Sequence, residues 1–308
     1  MYELILNKNQ ANRRLDRVLA AYMSLAPKSL IQKLLRKKLI KLNDKRALGS
    51  ETTACGDKVL MYLSEETINK YIANDIAAPS FYGPLDVIYE DEHALLVNKP
   101  AGLLTHATTK AAQDNLVARL AYHVYNKGEI GIKPAVCSRL DRNTGGLVVC
   151  GKTMEGLQAF NKIFSCGMVD KTYLAVVHGR LTGNDELKGY LLKNKEINQS
   201  KAYESKQEGA VFAHLEYESK AASGEYSLLK IRLHTGKSHQ IRVQLANIGH
   251  PIVGDIKYGG DAVEGYRGQL LHCHSLYFNA SCPLLPEKRF FADVPPPFKL
   301  FLENNGLT

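Results

Sequence analysis

Positive charge is distributed very unevenly along the 308 residues of this chain. Residues 8–46 contain twelve lysine or arginine residues and only two acidic ones, so this segment has a formal charge of +10. The rest of the chain holds 28 of the 40 basic and 29 of the 31 acidic residues and is close to neutral. This pattern predicts a small basic N-terminal module followed by a larger neutral part.

The basic segment has the period of two helices. Apolar residues recur at helical spacing over residues 12–24, and a second helix is predicted to begin at Pro27. In the second helix, the leucine and isoleucine side chains share one face and the cationic side chains occupy the other. Two short strand-like runs follow, around Gly49 and Gly56. We therefore predict a compact domain over residues 1–63.

A folded cationic face of this density favours a polyanion, either a nucleic acid or an anionic membrane surface. An ordinary solvated basic face is the alternative, although such faces usually mix both signs of charge. The residues expected to contact a nucleic acid are Arg13, Arg14, Arg17, Lys28, Lys33, Arg36, Lys37 and Lys38.

The remainder of the chain has the pattern of an α+β domain. Residues 64–84 show no clear period and end in proline and glycine, so they are predicted to be an interdomain linker. In residues 85–308, strand-like segments outnumber helical ones without strict alternation, which is typical of a mainly antiparallel sheet. The predicted strands are 94–98, 146–150, 172–178, 211–217, 226–233 and 270–278. The predicted helices are 114–126 and 154–165, with Thr153 as the N-cap of the second.

Composition excludes several classes of protein. No apolar run approaches the ~20 residues of a membrane span, and the N-terminus does not resemble a signal peptide. The six cysteines have irregular spacing without a CxxC pair, which favours a reducing compartment, and we predict a cytoplasmic protein.

Three kinds of chemistry are also disfavoured. The TGKS sequence at 235–238 resembles a phosphate-binding loop, but Ile231 stands where that motif needs a glycine. No GxSxG motif is present, which argues against a serine hydrolase. No metal is predicted, because the metal-capable residues near the C-terminus lack a second paired cluster. Those residues are His272, Cys273, His274 and Cys282.

The segment SRLDRNTGGLVV, residues 138–149, places Asp141 on a predicted tight turn between two strands. Arg139 and Arg142 flank it. Nearby cations stabilise an ionised carboxylate, which would suit a nucleophile or a base. The alternative is an aspartate that only orders the turn.

The segment 233–255 concentrates polar residues. It contains three basic or titratable side chains within six positions: Lys237, His239 and Arg242. Polar and apolar residues alternate over 240–243, which predicts a strand. An arginine here would be able to pair with Asp141, although a half-exposed strand without a function is the alternative.

Two further segments carry candidate residues. In KTYLAVVHG, residues 171–179, Tyr173 would be able to stack on a planar base, or it is a core tyrosine. In HALLVNKPAGLLTH, residues 93–106, a buried strand leads into a turn that contains Lys99. Ordinary loop chemistry also explains this second segment.

Together these four segments resemble, in order, the motifs of the RluA family of pseudouridine synthases, which act on ribosomal and transfer RNA. RLDRNTGGL resembles the catalytic motif, and the resemblance extends over roughly residues 12–290. Residues 12–60 resemble the small RNA-binding domain named after ribosomal protein S-four.

The resemblance implies roles for individual residues. Asp141 would be the catalytic aspartate, Tyr173 would stack on the uracil, and Arg242 would pair with the aspartate. Arg139 would enter the gap left by a flipped nucleotide. The other expected substrate-binding residues are Lys237, His239 and Ile241.

The implied fold is the α+β pseudouridine synthase domain, and no metal or cofactor is expected. The expected partner is RNA, first large-subunit ribosomal RNA and second transfer RNA. Two alternatives remain: a catalytically silent RNA-binding or ribosome-assembly factor, and an aspartate-dependent hydrolase of a small anionic substrate.

Overall fold

The computed structural model describes the whole chain except residues 8, 9, 24, 72–78, 108, 110, 111, 128–133, 195, 280–284, 286 and 287. Lys8 and Cys282 of the sequence predictions therefore lie outside the described residues. The chain divides into two compact units, Met1–Ser80 and Phe81–Thr308. Within the described ranges, no helix is long and apolar enough to cross a bilayer.

The N-terminal unit places its described helices against a small antiparallel sheet of order β1-β4-β2-β3. Its elements are β1 (Tyr2–Ile5), α1 (Leu15–Tyr22), α2 (Lys28–Arg36), β2 (Ile40–Leu42), β3 (Lys45–Arg46), β4 (Lys58–Met61) and α3 (Glu65–Tyr71). Both predicted helices are present. Their apolar faces meet in a core that contains Leu19, Ile31 and Ile40, all buried. Strand β1 was not predicted.

The predicted linker, residues 64–84, begins instead with helix α3. Ile68 of this helix is fully buried in the core of the N-terminal unit. The helix has only seven residues, which is too short for an apolar period to be recognised in the sequence. The linker prediction was therefore wrong for 65–71, while residues 72–78 lie outside the described ones.

The C-terminal unit contains all six predicted strands and both predicted helices. Its elements are β5 (Asp86–Glu90), β6 (Ala94–Lys99), α4 (Leu116–Asn126), β7 (Ala135–Val136), β8 (Gly145–Gly151), α5 (Met154–Ser165), β9 (Val169–His178), β10 (Asn184–Asn194), β11 (Gln199–Tyr203), β12 (Val211–Ala222), β13 (Tyr226–Leu233), α6 (Gln240–Asn247), a 3-10 turn (Ile256–Tyr258), β14 (Leu271–Phe278), β15 (Arg289–Phe291) and α7 (Pro296–Asn304). Thr153 caps α5 as predicted, since its hydroxyl accepts a hydrogen bond from the Gly156 amide at 3.1 Å.

These strands form one large mixed sheet in the order β11-β10-β12-β13-β9-β14-β8-β6-β5, with β15 on β14 and β7 on β8. The β8–β14 pair is parallel. The other described pairs are antiparallel, which confirms the predicted α+β class with a mainly antiparallel sheet.

Strand β14 fits between β8 and β9 because β8 contains a glycine at the point of closest approach. Gly146 has φ +110°, and a Cβ atom there would lie 2.3 Å from the backbone oxygen of Cys273. Gly146 and Tyr173 are both register partners of Cys273. The glycine therefore places the tyrosine of β9 close to the start of β8, where the Asp141 turn ends.

The two faces of the sheet are covered differently. Along β9, Ala175 and Val177 belong to the main core, to which α4 and α5 contribute. The intervening Val176 packs on the opposite face in a second cluster with Phe298 of α7. The alternation follows from the two-residue period of a strand.

Candidate active site

A cleft of about 1380 Å³ lies in the C-terminal unit. All seven residues predicted for the catalytic and substrate-binding site line it: Arg139, Asp141, Tyr173, Lys237, His239, Ile241 and Arg242. Residues from three of the four sequence segments thus meet at one place, and Thr105 and His106 of the fourth segment also line the cleft.

Asp141 lies on a short turn between β7 and β8, as predicted. Its backbone carbonyl accepts a hydrogen bond from the Thr144 amide at 3.1 Å, which closes the turn. The Thr144 hydroxyl in turn accepts from the Gln269 side chain at 2.9 Å. The Asp141 side chain is 29% exposed, so it is reachable from the cleft while its backbone is fixed.

The buried side chain of Lys99 also fixes this turn. Its buried ammonium group donates hydrogen bonds to three backbone carbonyls, those of Pro100 (3.0 Å), Leu103 (2.9 Å) and Arg142 (3.0 Å). Burial lowers the pKa of Lys99 to about 7, against the opposing effect of the Asp141 carboxylate. The NKPAG segment is therefore more than ordinary loop chemistry, because it anchors the residue next to Asp141.

The predicted strand over residues 240–243 is wrong: these residues begin helix α6. Every residue from 240 to 245 is buried. A helix that is buried on all sides shows no amphipathic period. The alternation of polar and apolar residues over 240–243 was therefore mistaken for the pattern of a strand. Gln240 and Arg242 make hydrogen bonds within the protein, and Gln244 donates one to the Leu187 carbonyl, while Oε1 of Gln244 is buried without a partner among the described residues.

Arg242 holds two carboxylates at once. Its Nε and Nη2 atoms donate to the two oxygens of Asp255, both at 2.7 Å, and its Nη1 donates to Oδ2 of Asp141 at 3.0 Å. The contact with Asp141 is the one predicted from the sequence. Burial acts to lower the pKa of Arg242, but the hydrogen bonds and charges of the two aspartates outweigh it and raise that pKa.

Asp255 was missed by the sequence analysis. It is 2% exposed and closes the same motif that contains Arg242. A signal existed, because an aspartate in a buried segment needs a cationic partner and the nearest candidate was that arginine.

His239 has φ +57°, the left-handed conformation, at the position just before α6. Its Nδ1 lies 2.8 Å from the Tyr258 hydroxyl, and its Nε2 lies 3.9 Å from Oδ2 of Asp141. Burial is the main cause that lowers its pKa. The Arg242 guanidinium lies over the Tyr258 ring at 5.1 Å. Tyr258, which was not predicted, thus contacts both.

Tyr173 presents its ring to the cleft from β9 and is 7% exposed. Burial raises its pKa well above the ordinary value, so the phenol keeps its proton near neutral pH. An uncharged aromatic ring beside a carboxylate is suited to stacking on a planar ring while the carboxylate acts on it.

The mouth of the cleft is cationic. Arg139 and Lys237 are both exposed there. Besides burial, the charge of Arg139 lowers the pKa of the neighbouring His106. Exposed cations at such a position suit phosphate groups.

In the N-terminal unit, the side chains expected to bind RNA lie outside the core. Arg13 is half-buried and the other seven are exposed. Arg14 forms an ion pair with Asp16 at 2.8 Å.

Comparisons with known proteins agree on one family. A sequence model of the family described as RNA pseudouridylate synthase matches residues 93–247. The "Uncharacterized RNA pseudouridine synthase YhcT" of Bacillus subtilis is 29% identical over 302 residues, which cover 96% of this chain and 93% of that protein. The "Ribosomal large subunit pseudouridine synthase D" of Borreliella burgdorferi is 32% identical over 254 residues, with 80% and 75% covered. Among solved structures, "Human RNA Pseudouridylate Synthase Domain Containing 4" has the same fold, with a TM-score of 0.60, 20% identity, and coverage of 72% of this chain and 94% of that one.

Proposed function

The chain belongs to the RNA pseudouridylate synthase family, and from this premise we propose that it isomerises uridines in large-subunit ribosomal RNA with Asp141 as its catalytic residue. The observation that carries the assignment is the contact of Asp141 with Arg242 in a cleft that Tyr173 also lines. The ribosomal substrate is supported by relatives named as large-subunit ribosomal enzymes.

The target uridine must first leave the RNA stack, at a cost of a few kcal/mol. Tyr173 then offers a ring on which the extruded uracil stacks. Arg139, exposed at the mouth of the cleft, is placed to fill the gap and to contact phosphate.

In the reaction, the bond from the anomeric carbon to nitrogen one of uracil breaks, and a bond from that carbon to carbon five forms. Carbon five loses its proton and nitrogen one gains one, so the product is an isomer of the substrate. Asp141 is the group that acts on the ribose or on the ring, as nucleophile or base. Because both fragments stay in one cleft, their recombination is intramolecular.

Arg242 positions the catalytic carboxylate. Its bidentate pair with Asp255 fixes the plane of the guanidinium, which leaves one N–H group directed at Asp141. The Tyr258 ring lies against the same guanidinium, and His239 contacts the hydroxyl group of that tyrosine.

The N-terminal unit is assigned the role of an RNA-binding domain that resembles the one named after ribosomal protein S-four. Its exposed cations would neutralise phosphates without reading sequence. We place the reaction in the cytoplasm. Supporting this, the described cysteines are free thiols, as a reducing compartment requires.

The assay uses RNA whose uridines carry tritium at carbon five, because each isomerisation releases one tritium to water. Large-subunit ribosomal RNA and transfer RNA are tested separately with the full chain. Asp141→Asn should release no tritium above background. The matched control is Asp293→Asn, at a side chain that is 84% exposed, and it should behave like the wild type.

The outcomes separate the parts of the proposal. Release from transfer RNA alone would overturn the ribosomal substrate and keep the activity. Undiminished release by Asp141→Asn would overturn the catalytic assignment. If tritium were released from neither RNA, the alternative of a catalytically silent RNA-binding protein would be favoured.

A further inference from the structure

Two histidines lie close together on the outer face of the sheet, which is the face opposite to the main core: one is in β12 and the other directly follows β13. Leu215 of β12 is fully buried on the core side, so His214 and Glu216 on either side of it are directed outward. His234 directly follows β13, and its amide donates to the His214 carbonyl at 3.2 Å. This face is the opposite one from Tyr173, whose register partner Ile231 lies in the main core.

The side chains of this group are close together and nearly parallel. The two imidazole rings have centroids 4.2 Å apart and an interplanar angle of 14°. The His234 Nε2 atom lies 2.8 Å from Glu216, and the His214 Nε2 atom lies 3.1 Å from Glu186. Potential ligand atoms of His214, Glu216 and His234 all lie within 4.8 Å of one another.

That spacing is near what one metal ion needs. Zinc bonds nitrogen and oxygen ligands at about 2.0–2.2 Å, so ligand atoms around one zinc ion are about 3.3 Å apart. Closing the group around an ion therefore requires side-chain movements on the order of an ångström. The three side chains are partly accessible, so solvent can reach a fourth position.

Glu216 differs from the neighbouring acidic residues in its ion-pair partner. The neighbouring acids Glu186, Glu218 and Asp170 are each paired with a lysine or arginine. Across the described ranges, the ion pair of Glu216 is with His234 instead. A carboxylate whose partner is an imidazole can exchange that contact for a metal bond without leaving a lysine or arginine unpaired.

We propose that His214, Glu216 and His234 bind a borderline divalent transition-metal ion, Zn²⁺, on the outer face of the sheet. Two imidazoles and one carboxylate are typical of zinc, whereas Ca²⁺ and Mg²⁺ require oxygen ligands. No metal was predicted from the sequence, in which the cysteines and histidines near 272–282 were the candidate ligands. The group was not recognised because its members are far apart in the sequence: two are in β12 and the third directly follows β13.

The metal group is connected to the segment that leads to Arg242. The His214 amide donates to the Thr235 hydroxyl at 2.9 Å, and that hydroxyl donates to the Gln240 side chain at 2.8 Å. Gln240 donates back to the His214 carbonyl at 3.1 Å and begins helix α6. A bound ion would hold β12 against the end of β13 and so restrict residues 235–240. The catalytic meaning of this restriction rests on the function proposed above.

The test begins with binding, measured on the full chain after removal of metal with a chelator. Zinc is titrated in competition with a chromophoric chelator. The wild type should bind one more zinc ion per chain than His234→Asn or Glu216→Gln, or bind it more than about 10-fold tighter. The matched control is His250→Asn, a histidine outside the group, and it should bind like the wild type. Exposed Cys55 and Cys166 remain in every variant, so zinc held by thiols cancels in the comparison.

The second readout is amide hydrogen exchange over residues 234–240 with and without zinc, because it needs no catalytic activity. Zinc should slow this exchange in the wild type and leave it unchanged in His234→Asn. Equal zinc affinity and stoichiometry in all four proteins would overturn the site. If zinc bound without slowing amide exchange over residues 234–240, the proposed connection between the metal site and α6 would be overturned, and the metal site itself would be retained. Absence of tritium release would overturn the proposed function and leave both of these results intact.

Discussion

Helices α2 and α6 both carry cationic side chains, and the two helices use them in opposite ways. In α2, Lys33 and Arg36 are exposed, and the apolar residues on the other side are buried. In α6, Arg242 is itself 7% exposed and is bound on both sides by aspartates. The first arrangement creates a field that acts at a distance and is screened by salt. The second fixes the direction of one hydrogen bond and is little screened.

Substitutions in the two helices should therefore change different properties of the protein. Loss of a cation from α2 should weaken attraction to RNA without changing the cleft. Loss of the cation of α6 should change the chemistry and the stability of the cleft without changing long-range attraction. The substitutions below test that division.

The largest effect is expected for Arg242→Met. The variant leaves Asp255 buried without its cation, and breaking a buried pair in this way costs about 3–5 kcal/mol of stability. Asp141 loses its positioning partner too, so single-turnover tritium release should fall by more than about 100-fold.

Arg242→Lys serves as the conservative control. Lysine keeps the charge but lacks the planar fork that reaches two carboxylates at once, so its rate should lie between those of the wild type and Arg242→Met. If Arg242 were only a phosphate contact, Arg242→Met would reduce RNA affinity and the salt slope while the single-turnover rate at saturating enzyme stayed near that of the wild type.

A smaller effect is expected for Lys99→Met, which leaves three carbonyls without their donor. The free energy of unfolding should fall by about 3 kcal/mol at pH 7. The pKa of Lys99 is about 7 in the folded chain, below its ordinary value of 10.5. Between these values the unfolded chain binds more protons, so Lys99 increases wild-type stability as pH rises.

The gap between the wild type and Lys99→Met should therefore be larger at pH 9 than at pH 7. Urea unfolding of both proteins at the two pH values measures it. A gap that shrinks on raising the pH would contradict the assigned pKa shift.

The smallest effect is expected for the cationic side chains of α2 and its C-cap residue, and it should be confined to RNA binding. Replacement of Lys33, Arg36 and Lys37 by glutamine should lower the slope of log affinity against log salt by about 2–3. The single-turnover rate at saturating enzyme should not change. The control replaces Lys206, Lys220 and Lys299, three exposed lysines of the other unit, and has the same net charge. Equal salt slopes for both triple variants would remove the RNA-binding role of α2.

The same two helices explain how far the sequence could predict the structure. Helices α2 and α5 each have one exposed and one buried face, so the helical period of their apolar residues could be recognised in the sequence. Thr153 also marked the start of α5. Helix α6 is buried on every side, and its period was lost. Helix α3 was not predicted because its seven residues are too few to show a period. The predicted site residues came from motifs. Asp255 closes one of these motifs and was missed although its charge in a buried segment was a signal, whereas Tyr258 acts through tertiary contacts that no local pattern indicates.

The position of β14 has a consequence for how the chain acquires activity during synthesis. This strand is near the end of the sequence, yet it lies in the sheet between β8, which follows Asp141, and β9, which carries Tyr173. Among the described strands, β14 alone joins the two halves of the sheet by hydrogen bonds, so the halves are not joined in this way until it is made. The carboxylate and the aromatic ring should therefore be brought together late, after a costly closure of long loops. A nascent chain stalled before residue 271 should show less amide protection in β8 and β9 than the complete chain, because each strand then lacks one of its neighbours, and it should have no isomerase activity.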